Sequence, residues 1–291
     1  MDGFDEEMIP DTLGLHTVRF RDRPYTDPQA ATFGADPTGE SDSTAAIVAA
    51  MVHAASTGAG IVRLGDGVFR VAPKLLNCLP IPPGLQLFQG AGAGRTTILV
   101  ADQVGHYASV FTSDGSDVSG LTIADLTIDQ GDNPVGEDTA PLFAGKPRYA
   151  IYLTKSSGDN LVENVTFRRI ASVNTVAITG LSRRARVHGC TFYYLPNQPQ
   201  DYDHSSIYIN TPSYADGAAW ITDNVFIAPA ATAGARTAIE THGGHQVVSG
   251  NQGWGIQKFM KITGVTTSPS DGTHIFANSC SGCRYGINLC T

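Results

Sequence analysis

The sequence predicts an all-β fold in which short strands stack into a solenoid. Apolar residues alternate over short segments, and one apolar position recurs with spacings of 39, 25, 34, 27 and 27 residues. The residues at this position are Ile123, Val162, Val187, Ile221, Val248 and Ile275. A repeat near 25 residues with loop insertions is typical of a β-solenoid, in which each rung buries its apolar face against its neighbours. The handedness rule for parallel crossovers makes this a right-handed, single-stranded parallel β-helix.

Composition agrees with a folded protein that has no general affinity for nucleic acid or membranes. Of 291 residues, 42% are hydrophobic and 16% are charged, which is enough apolar material for a core. The net charge of -8 opposes binding to nucleic acid or to an anionic membrane. No apolar run approaches the ~18 residues that span a bilayer. The acidic start, MDGFDEEMIP, does not resemble a secretory signal, so we expect export by another route or none.

The five cysteines are predicted to be mostly buried small side chains. Their odd number leaves at least one unpaired in a monomer. Cys280 and Cys283 form a CxxC, but no second CxxC or histidine pair completes a zinc site. Cys190 aligns with Val165 and Cys280 with Phe167, both of them apolar positions of the repeat. Burial is therefore favoured over a metal or redox role, and no cofactor or metal is predicted.

The chain divides into residues 1–30, predicted to be an arm that packs against the body or a partner, and residues 31–291, the β-helix domain. A capping helix is expected at about 43–56, because N-cap oxygens precede an apolar stripe. The capping residues are Asp42, Ser43 and Thr44, and the stripe is Ile47, Met51 and Ala54. The helix would cover the open end of the first rung, and strands are expected at 61–64 and 68–71.

The segment FGADPTGESDSTAAI…GIVRLGDGVFRV resembles the FGA-GDG-DDTAAI…GGTVYLPPGTYRV motif with which domains of the pectate-lyase-like superfamily open. GAGAGRTTILV (90–100) and GLTIADLTIDQGDN (120–133) are similar to later rungs of that family. The resemblance covers residues 31–291 and implies a right-handed parallel β-helix. The glycines of GAGAGRT are not expected to bind nucleotide, because no strand–loop–helix context follows.

The resemblance is weaker for chemistry, since this scaffold hosts many activities. Alginate epimerases, polygalacturonases and classical pectate lyases each have an acidic motif that we do not find in this sequence. Bacteriophage tailspike proteins, which vary their active sites freely, remain the most similar in character. They imply a polysaccharide partner, a homotrimer, and a virion tail or extracellular location. The final strand, YGINLCT, has no cap after it, which predicts association or a longer chain.

One face of the predicted β-helix carries polar and aromatic side chains. If Ile151 and Leu153 point inward, their neighbours point outward. One outward column is then expected to contain Thr154, Thr179, Asn210, Glu240 and Thr263. A second is expected to contain Tyr152, Ala177, Tyr208, Ala238 and Lys261, and Arg148, Val173 and His204 are expected to align beyond it. Rings and hydroxyl-orienting groups are what sugar binding needs, although a solvated face gives a similar pattern.

Glu240 is the leading catalytic candidate on this face, with His242 two residues later. A partly desolvated carboxylate has a raised pKa and can act as a general acid. Asp203 and His204 enter the preceding rung and are expected to face Glu240, giving the carboxylate pair of a glycoside hydrolase. Asp203 also suits turn chemistry. Tyr152, Tyr208, Asn210, Lys261 and Arg148 are the predicted substrate-binding residues.

Alternatives remain open. A polysaccharide lyase needs a base and a cation, which Lys261, Arg148, His204 and Tyr208 would supply. An arginine cluster between 168 and 186 would hold an anionic glycan or form a solvated turn edge. Asp125, Asp129 and Asp132 are expected to be caps more than a cation site. The function predicted from sequence is glycan hydrolysis, with a non-catalytic glycan-binding or structural protein and a lyase as alternatives.

Overall fold

The computed structural model describes most of the β-helix domain. The described residues are 20, 23–74, 76–104, 107–113, 118–135, 148–154, 158–180, 184–194, 204–210, 219–228, 236–263 and 272–290. They form one helix and 23 parallel-paired strands that confirm the right-handed parallel β-helix with a capping helix. The described part contains no helix long and apolar enough to cross a membrane.

The elements are short, as expected for a solenoid with several turns per rung. The helix α1 spans Thr44–Ser56. The first twelve strands are β1 (Thr38–Asp42), β2 (Ile61–Arg63), β3 (Gly67–Val71), β4 (Asn77–Pro80), β5 (Leu87–Gln89), β6 (Thr96–Val100), β7 (Ser109–Thr112), β8 (Thr122–Asp129), β9 (Tyr149–Leu153), β10 (Leu161–Ile170), β11 (Asn174–Thr179) and β12 (Ala185–His188). The others are β13 (Thr191–Tyr194), β14 (His204–Asn210), β15 (Ala219–Thr222), β16 (Val225–Ile227), β17 (Arg236–His242), β18 (Gln246–Ser249), β19 (Gln252–Trp254), β20 (Lys258–Thr263), β21 (His274–Phe276), β22 (Ser279–Ser281) and β23 (Tyr285–Cys290).

Three sheets run along the helix axis. The first sheet contains β2, β5, β12, β15, β18 and β21, and the second contains β1, β3, β6, β13, β16, β19 and β22. The long strands β8 and β10 pass through both sheets and join them around a corner. The third sheet is separate and runs β4–β7–β9–β11–β14–β17–β20–β23.

The core is built from aligned apolar residues, as the repeat predicts. The six residues of the recurring position are paired rung to rung from Ile123 to Ile275. Phe167, Phe192 and Phe226 stack behind them, with ring centroids 4.7 and 4.9 Å apart. These rings are fully buried. Aligned apolar side chains therefore fill the interior from one rung to the next.

The capping helix is confirmed, with one difference in how its first turn is held. Ile47, Met51 and Ala54 are buried against the first rung. The Asp42 carboxylate accepts the backbone N–H of Thr44 at 2.9 Å. Ser43, expected to cap the helix as well, instead binds the backbone of Asp36. The preceding segment adds strand β1, which pairs with β3 and was not expected from the sequence.

An asparagine ladder fixes the corner between the first and second sheets. The side-chain oxygen of Asn251 accepts the backbone N–H of Asn224 at 3.1 Å, and Asn278 does the same for Asn251 at 2.9 Å. Cys190 occupies the rung before Asn224, and its N–H bonds to the Asn224 side chain. Because these buried amides pair with each other and with the backbone, the tight corner leaves fewer polar groups unsatisfied.

Strands of the third sheet bend near their start, which breaks the alternation of side chains. In β9, Ala150 and Ile151 are both buried, and the partly exposed residues are Tyr149 and Tyr152. β20 has the same pattern, with Lys258 and Lys261 partly exposed around a buried pair. Side chains three residues apart therefore share the outer side of this sheet. Simple two-residue alternation does not predict this.

The last described rung is exposed. Leu289 is 71% exposed, and Tyr285 and Ile287 are also exposed. Cys280 aligns with the phenylalanine stack through Gly253, yet it is exposed because this is the last described rung. The prediction of burial is therefore wrong for Cys280 and correct for Cys190 and Cys78.

Candidate functional site

Glu240 lies in β17 of the third sheet, and the strand is shifted by two residues from its predicted register. It pairs with Tyr208 on one side and Lys261 on the other, whereas His242 pairs with Asn210. The sequence alignment had put Glu240 beside Asn210 and Ala238 beside Tyr208. That register is wrong because Thr241 is the inward residue, aligned with the apolar ladder of the neighbouring rungs.

Three donors from three different positions hold the Glu240 carboxylate. Oε1 accepts hydrogen bonds from Lys261 Nζ at 2.8 Å and from His242 Nε2 at 2.9 Å. Oε2 accepts one from Ser205 Oγ at 2.5 Å. The glutamate side chain is only 2% exposed, compared with 18% for each of Lys261 and His242. The carboxylate is thus screened from solvent and fully engaged by these groups.

The electrostatics of Glu240 are opposite to those expected of a general acid. Burial raises its pKa, but the hydrogen bonds from His242, Lys261 and Ser205, together with the Lys261 charge, outweigh it. The pKa falls from 4.5 to about 2. The expectation of a raised pKa is wrong, because it considered desolvation without the donors. Glu240 is ionised at neutral pH and acts as an anchor for Lys261 and His242.

His242 and Tyr208 are the groups beside Glu240 that can exchange protons. Their rings are 5.4 Å apart between centroids. Because the ionised Glu240 accepts from Nε2, the proton of a neutral His242 lies on Nε2, and Nδ1 carries the lone pair. The Tyr208 hydroxyl accepts a hydrogen bond from Asn210 Nδ2 at 3.0 Å. A base and an acid therefore lie next to each other above an anchored carboxylate.

The bend of the strands gives the site two parallel rows of side chains along the helix axis. The leading row contains Tyr149, Asn174, Ser205, Thr237, Lys258 and Tyr285. The central row contains Tyr152, Ala177, Tyr208, Glu240, Lys261 and Asn288. Two lysines and one glutamate are the charged residues of these rows. The rows thus carry a net positive charge in a protein whose formal charge is -8.

Other predicted site residues are placed less uniformly. Arg148, Val173 and His204 align through backbone hydrogen bonds at the strand starts, as expected. His204 is buried and pairs with Arg236, so it does not lie on the exposed part of the face. Tyr152 stacks on Tyr149 with ring centroids 4.3 Å apart. Asp203 lies outside the described residues, and its predicted role stays a prediction.

Two other clusters considered in the sequence have structural contacts. Asp125 accepts a hydrogen bond from Gln89 at 2.8 Å, and Asp129 pairs with Arg169 at 2.6 Å. Among the described residues, no group of three metal-ligating side chains is present. Arg184 pairs with Asp159 at the exposed edge of a turn. These contacts agree with turn and surface roles for Asp125, Asp129 and Arg184.

Sequence analysis missed Ser205 and Tyr149. Both would point inward if side chains alternated strictly from Ile207 and Ile151, but the bend brings Tyr149 onto Tyr152 in its own strand and Ser205 to Glu240 in the next rung. A signal was present in the sequence, because Ala150 and Ser206 are small residues next to an apolar ladder position. Two adjacent inward residues would have marked the bend.

Solved structures with the same fold include several proteins that differ widely in sequence. The A-module of mannuronan C-5 epimerase AlgE4 from Azotobacter vinelandii is 16% identical with a TM-score of 0.51, over 91% of this chain and 99% of the module. WceF of Pantoea stewartii, a glycan biofilm modifying enzyme with a tailspike-like β-helix, is 13% identical with a TM-score of 0.43. That match covers 88% of this chain and 38% of WceF. At these identities the likeness concerns the fold alone.

ORF18 of Geobacillus virus E2 is 14% identical with a TM-score of 0.44, over 91% of this chain and 61% of the viral protein. A search of curated proteins found no match to the chain. One protein-family model, rhamnogalacturonase A/epimerase, pectate lyase-like, matches residues 29–287, which is nearly the whole β-helix. The strand register, the capping helix and this match agree with the resemblance found in the sequence. The chain belongs to the rhamnogalacturonase A/epimerase, pectate lyase-like family.

Proposed function

We propose that the protein is an enzyme that modifies an acidic polysaccharide, with His242 as the proton-accepting group. The observation that carries the proposal is the state of Glu240. A carboxylate with a pKa of about 2, held by Lys261, His242 and Ser205, does not donate the proton that a hydrolase needs for its leaving group. The groups left to exchange protons are His242 and Tyr208, and the lysines suit an anionic sugar.

The reaction that fits these groups is elimination at a uronic acid unit. His242 Nδ1 takes the proton on the carbon next to the sugar carboxylate. The electron pair of that C–H bond forms a carbon–carbon double bond as the glycosidic C–O bond breaks. The Tyr208 hydroxyl gives its proton to the departing oxygen, and solvent water then carries the proton held by His242 to the tyrosine, which restores both groups. Lys261 and Lys258 offset the negative charge that builds on the sugar carboxylate.

The family match and the fold support a glycan as substrate. AlgE4 and WceF are named as a mannuronan epimerase and a glycan-modifying enzyme. A protein in which this face only binds glycan is the alternative that needs no chemistry. The extracellular or virion location and the homotrimer remain predictions from the sequence resemblance.

Hydrolysis remains the second candidate, favoured by one observation. A permanently ionised Glu240 has the charge state of a hydrolase nucleophile or base, and Asp203, which lies outside the described residues, is predicted from the sequence to enter the preceding rung. In that mechanism Asp203 would be the acid. This candidate requires Glu240 to leave its hydrogen bonds to Lys261 and His242 when substrate binds.

The test is incubation with polygalacturonate, alginate and a neutral glucan, following reducing ends and ultraviolet absorbance together. Elimination gives one conjugated double bond for each new reducing end, whereas hydrolysis gives reducing ends alone. We expect His242→Gln to lower turnover by about 10²-fold or more. His274→Gln, an exposed histidine of the first sheet, is the matched control. Reducing ends without absorbance would contradict elimination and favour hydrolysis, and no turnover with retained binding would favour a binding protein.

A further inference from the structure

A pair of stacked tyrosines lies on the same face as Glu240 but several rungs away from it. The rings of Tyr149 and Tyr152 are 4.3 Å apart with an angle of 11° between their planes. Both side chains are partly exposed. Their stacking results from the bend in β9, which turns residues three positions apart to the same side. The stack covers the inner face of each ring, and the partly exposed side chains leave their remaining apolar surface and hydroxyl groups for contact with a ligand.

The tyrosine pair is continuous with the site of the proposed chemistry. Tyr152 lies in the central row, followed by Ala177, Tyr208 and Glu240 in successive rungs. Three rung spacings of about 4.8 Å separate Tyr152 from Glu240, or about 14 Å along the axis. Tyr208 lies between the two ends, and its ring is next to that of His242, which shares the strand of Glu240. A disaccharide is too short to reach from Glu240 to the tyrosine pair, whereas a longer oligosaccharide spans it.

Charge at the tyrosine end matches the charge at the lysine end. Arg148 precedes Tyr149, and its positive charge acts to lower the pKa of the Tyr149 hydroxyl. Burial raises the pKa of the Tyr149 hydroxyl, which is neutral at physiological pH and available to orient a sugar hydroxyl. Lys258 and Lys261 provide positive charge at the other end. An extended acidic glycan would therefore meet a cation near each end and aromatic rings between them.

We propose that Tyr149 and Tyr152 form a sugar-stacking subsite, so that an acidic polysaccharide binds parallel to the helix axis from the tyrosine pair to Glu240. The inference rests on the proposed function, because it takes the Glu240 site as the reacting end. Rings bind the CH faces of sugars, and Arg148 contributes a cation for a uronate carboxylate. The subsite makes affinity depend on substrate length, a property that the chemistry at His242 alone does not give.

Binding is best measured by titration calorimetry in the His242→Gln background, so that substrate is not consumed. The probes are uronic-acid oligosaccharides prepared from polygalacturonate and from alginate, either disaccharides or chains long enough to span 14 Å. Tyr149→Ala and Tyr152→Ala are expected to weaken binding of the long chains about tenfold or more. Binding of disaccharides should not change. Tyr149→Phe and Tyr152→Phe keep the rings and should bind the long chains within about threefold of the parent.

Tyr193→Ala is the matched control, because Tyr193 is exposed on the second sheet and away from both rows. Thermal unfolding of each variant identifies any loss of fold. Equal affinity of the alanine variants and the parent for long chains overturns the subsite, as does equal loss for disaccharides. No binding to any uronic-acid probe also overturns it.

The two proposals fail separately. Length-dependent binding that needs Tyr149 in a protein without turnover removes the elimination chemistry and keeps the subsite. Turnover of long chains that is indifferent to Tyr149→Ala and Tyr152→Ala keeps the chemistry and removes the subsite.

Discussion

Two ion pairs of nearly equal length lie in very different surroundings. Arg184 and Asp159 are 2.6 Å apart at a turn, with 55% and 48% of their side chains exposed. Lys261 and Glu240 are 2.8 Å apart on the third sheet, with 18% and 2% exposed. By distance alone, the turn pair would be the stronger of the two ion pairs. Burial reverses that order, because water competes for the exposed pair and leaves the buried carboxylate dependent on its protein donors.

The comparison also separates what each pair does. The Arg184–Asp159 pair joins two neighbouring rungs at an edge that solvent already stabilises. The Lys261–Glu240 pair fixes a cation and a histidine relative to one anion in a screened position. A site that moves protons needs such fixed positions, whereas a turn does not.

The largest effect is expected from Lys261→Met, which removes the cation and leaves Glu240 buried. Removing one partner of a buried ion pair lowers the free energy of unfolding by about 3–5 kcal/mol. Urea unfolding measures it. Lys258→Met, in the same strand and partly exposed, is the control and should change stability by about 0.5 kcal/mol or less. Similar losses in both variants would show that the Glu240 pair contributes no more than a surface charge.

A second prediction concerns acid. The folded pKa of Glu240 lies below its unfolded value of 4.5, so its ionisation stabilises the fold fully above that value. This contribution is lost as pH falls from about 4.5 through about 2 and is about 3 kcal/mol in total. In Glu240→Gln it is absent at every pH, so the substitution is expected to cost stability at neutral pH. The stability gap between wild type and Glu240→Gln should close between those two values, and a gap independent of pH would contradict the assignment.

Ser205→Ala tests the remaining donor with a smaller effect. A hydrogen bond to a charged group contributes about 1.5–3 kcal/mol to stability. Loss of the Ser205 hydroxyl should lower the free energy of unfolding by that amount and raise the pKa of Glu240. Ser279→Ala, an exposed serine of β22, is the control. An unchanged acid-unfolding profile would mean that Lys261 and His242 hold the carboxylate without Ser205.

The smallest effect is expected for the exposed pair. Arg184→Gln and Asp159→Asn should each change the free energy of unfolding by about 0.2–1 kcal/mol, because solvent screens the pair. The effect should shrink further at high salt. A loss comparable with that of Lys261→Met would break the comparison, and it would mean that rung-to-rung pairs at this edge stabilise the solenoid far more than their exposure indicates.

The repeat predicted most of the fold because core packing requires aligned apolar residues. The position running from Ile123 to Ile275, the α1 stripe and the strand at the chain's end are confirmed. The 27-residue spacing of Asn224, Asn251 and Asn278 indicates the asparagine ladder, but apolar periodicity alone does not predict polar residues at buried corners. Strand β1 was missed because its sequence, TGESD, has no apolar alternation.

The site was predicted in part. Glu240, His242, Tyr208 and Lys261 come together as expected, whereas the register and the pKa of Glu240 did not follow from the pattern. The predicted register of β17 was wrong because a polar residue, Thr241, occupies an inward position. The predicted direction of the Glu240 pKa shift was wrong because the donors in neighbouring rungs cannot be identified before the rungs are aligned. Tyr149 and Ser205 could not be predicted as site residues without the bend, because the bend is a feature of backbone geometry that the alternation of side chains does not reveal.

The bend in the third-sheet strands has a consequence for how this surface varies. Strands β9 and β20 each place two positions, three residues apart, on the outer side of this sheet. Side chains at such positions meet within a strand, as Tyr149 and Tyr152 do, or between rungs, as Ser205 and Glu240 do. In β9 and β20 the two residues between the outer positions belong to the core. Substitutions at these paired positions, in evolution or by design, can therefore change ligand preference one rung at a time while the core residues stay the same. Insertion of a whole rung would lengthen the surface by one further pair.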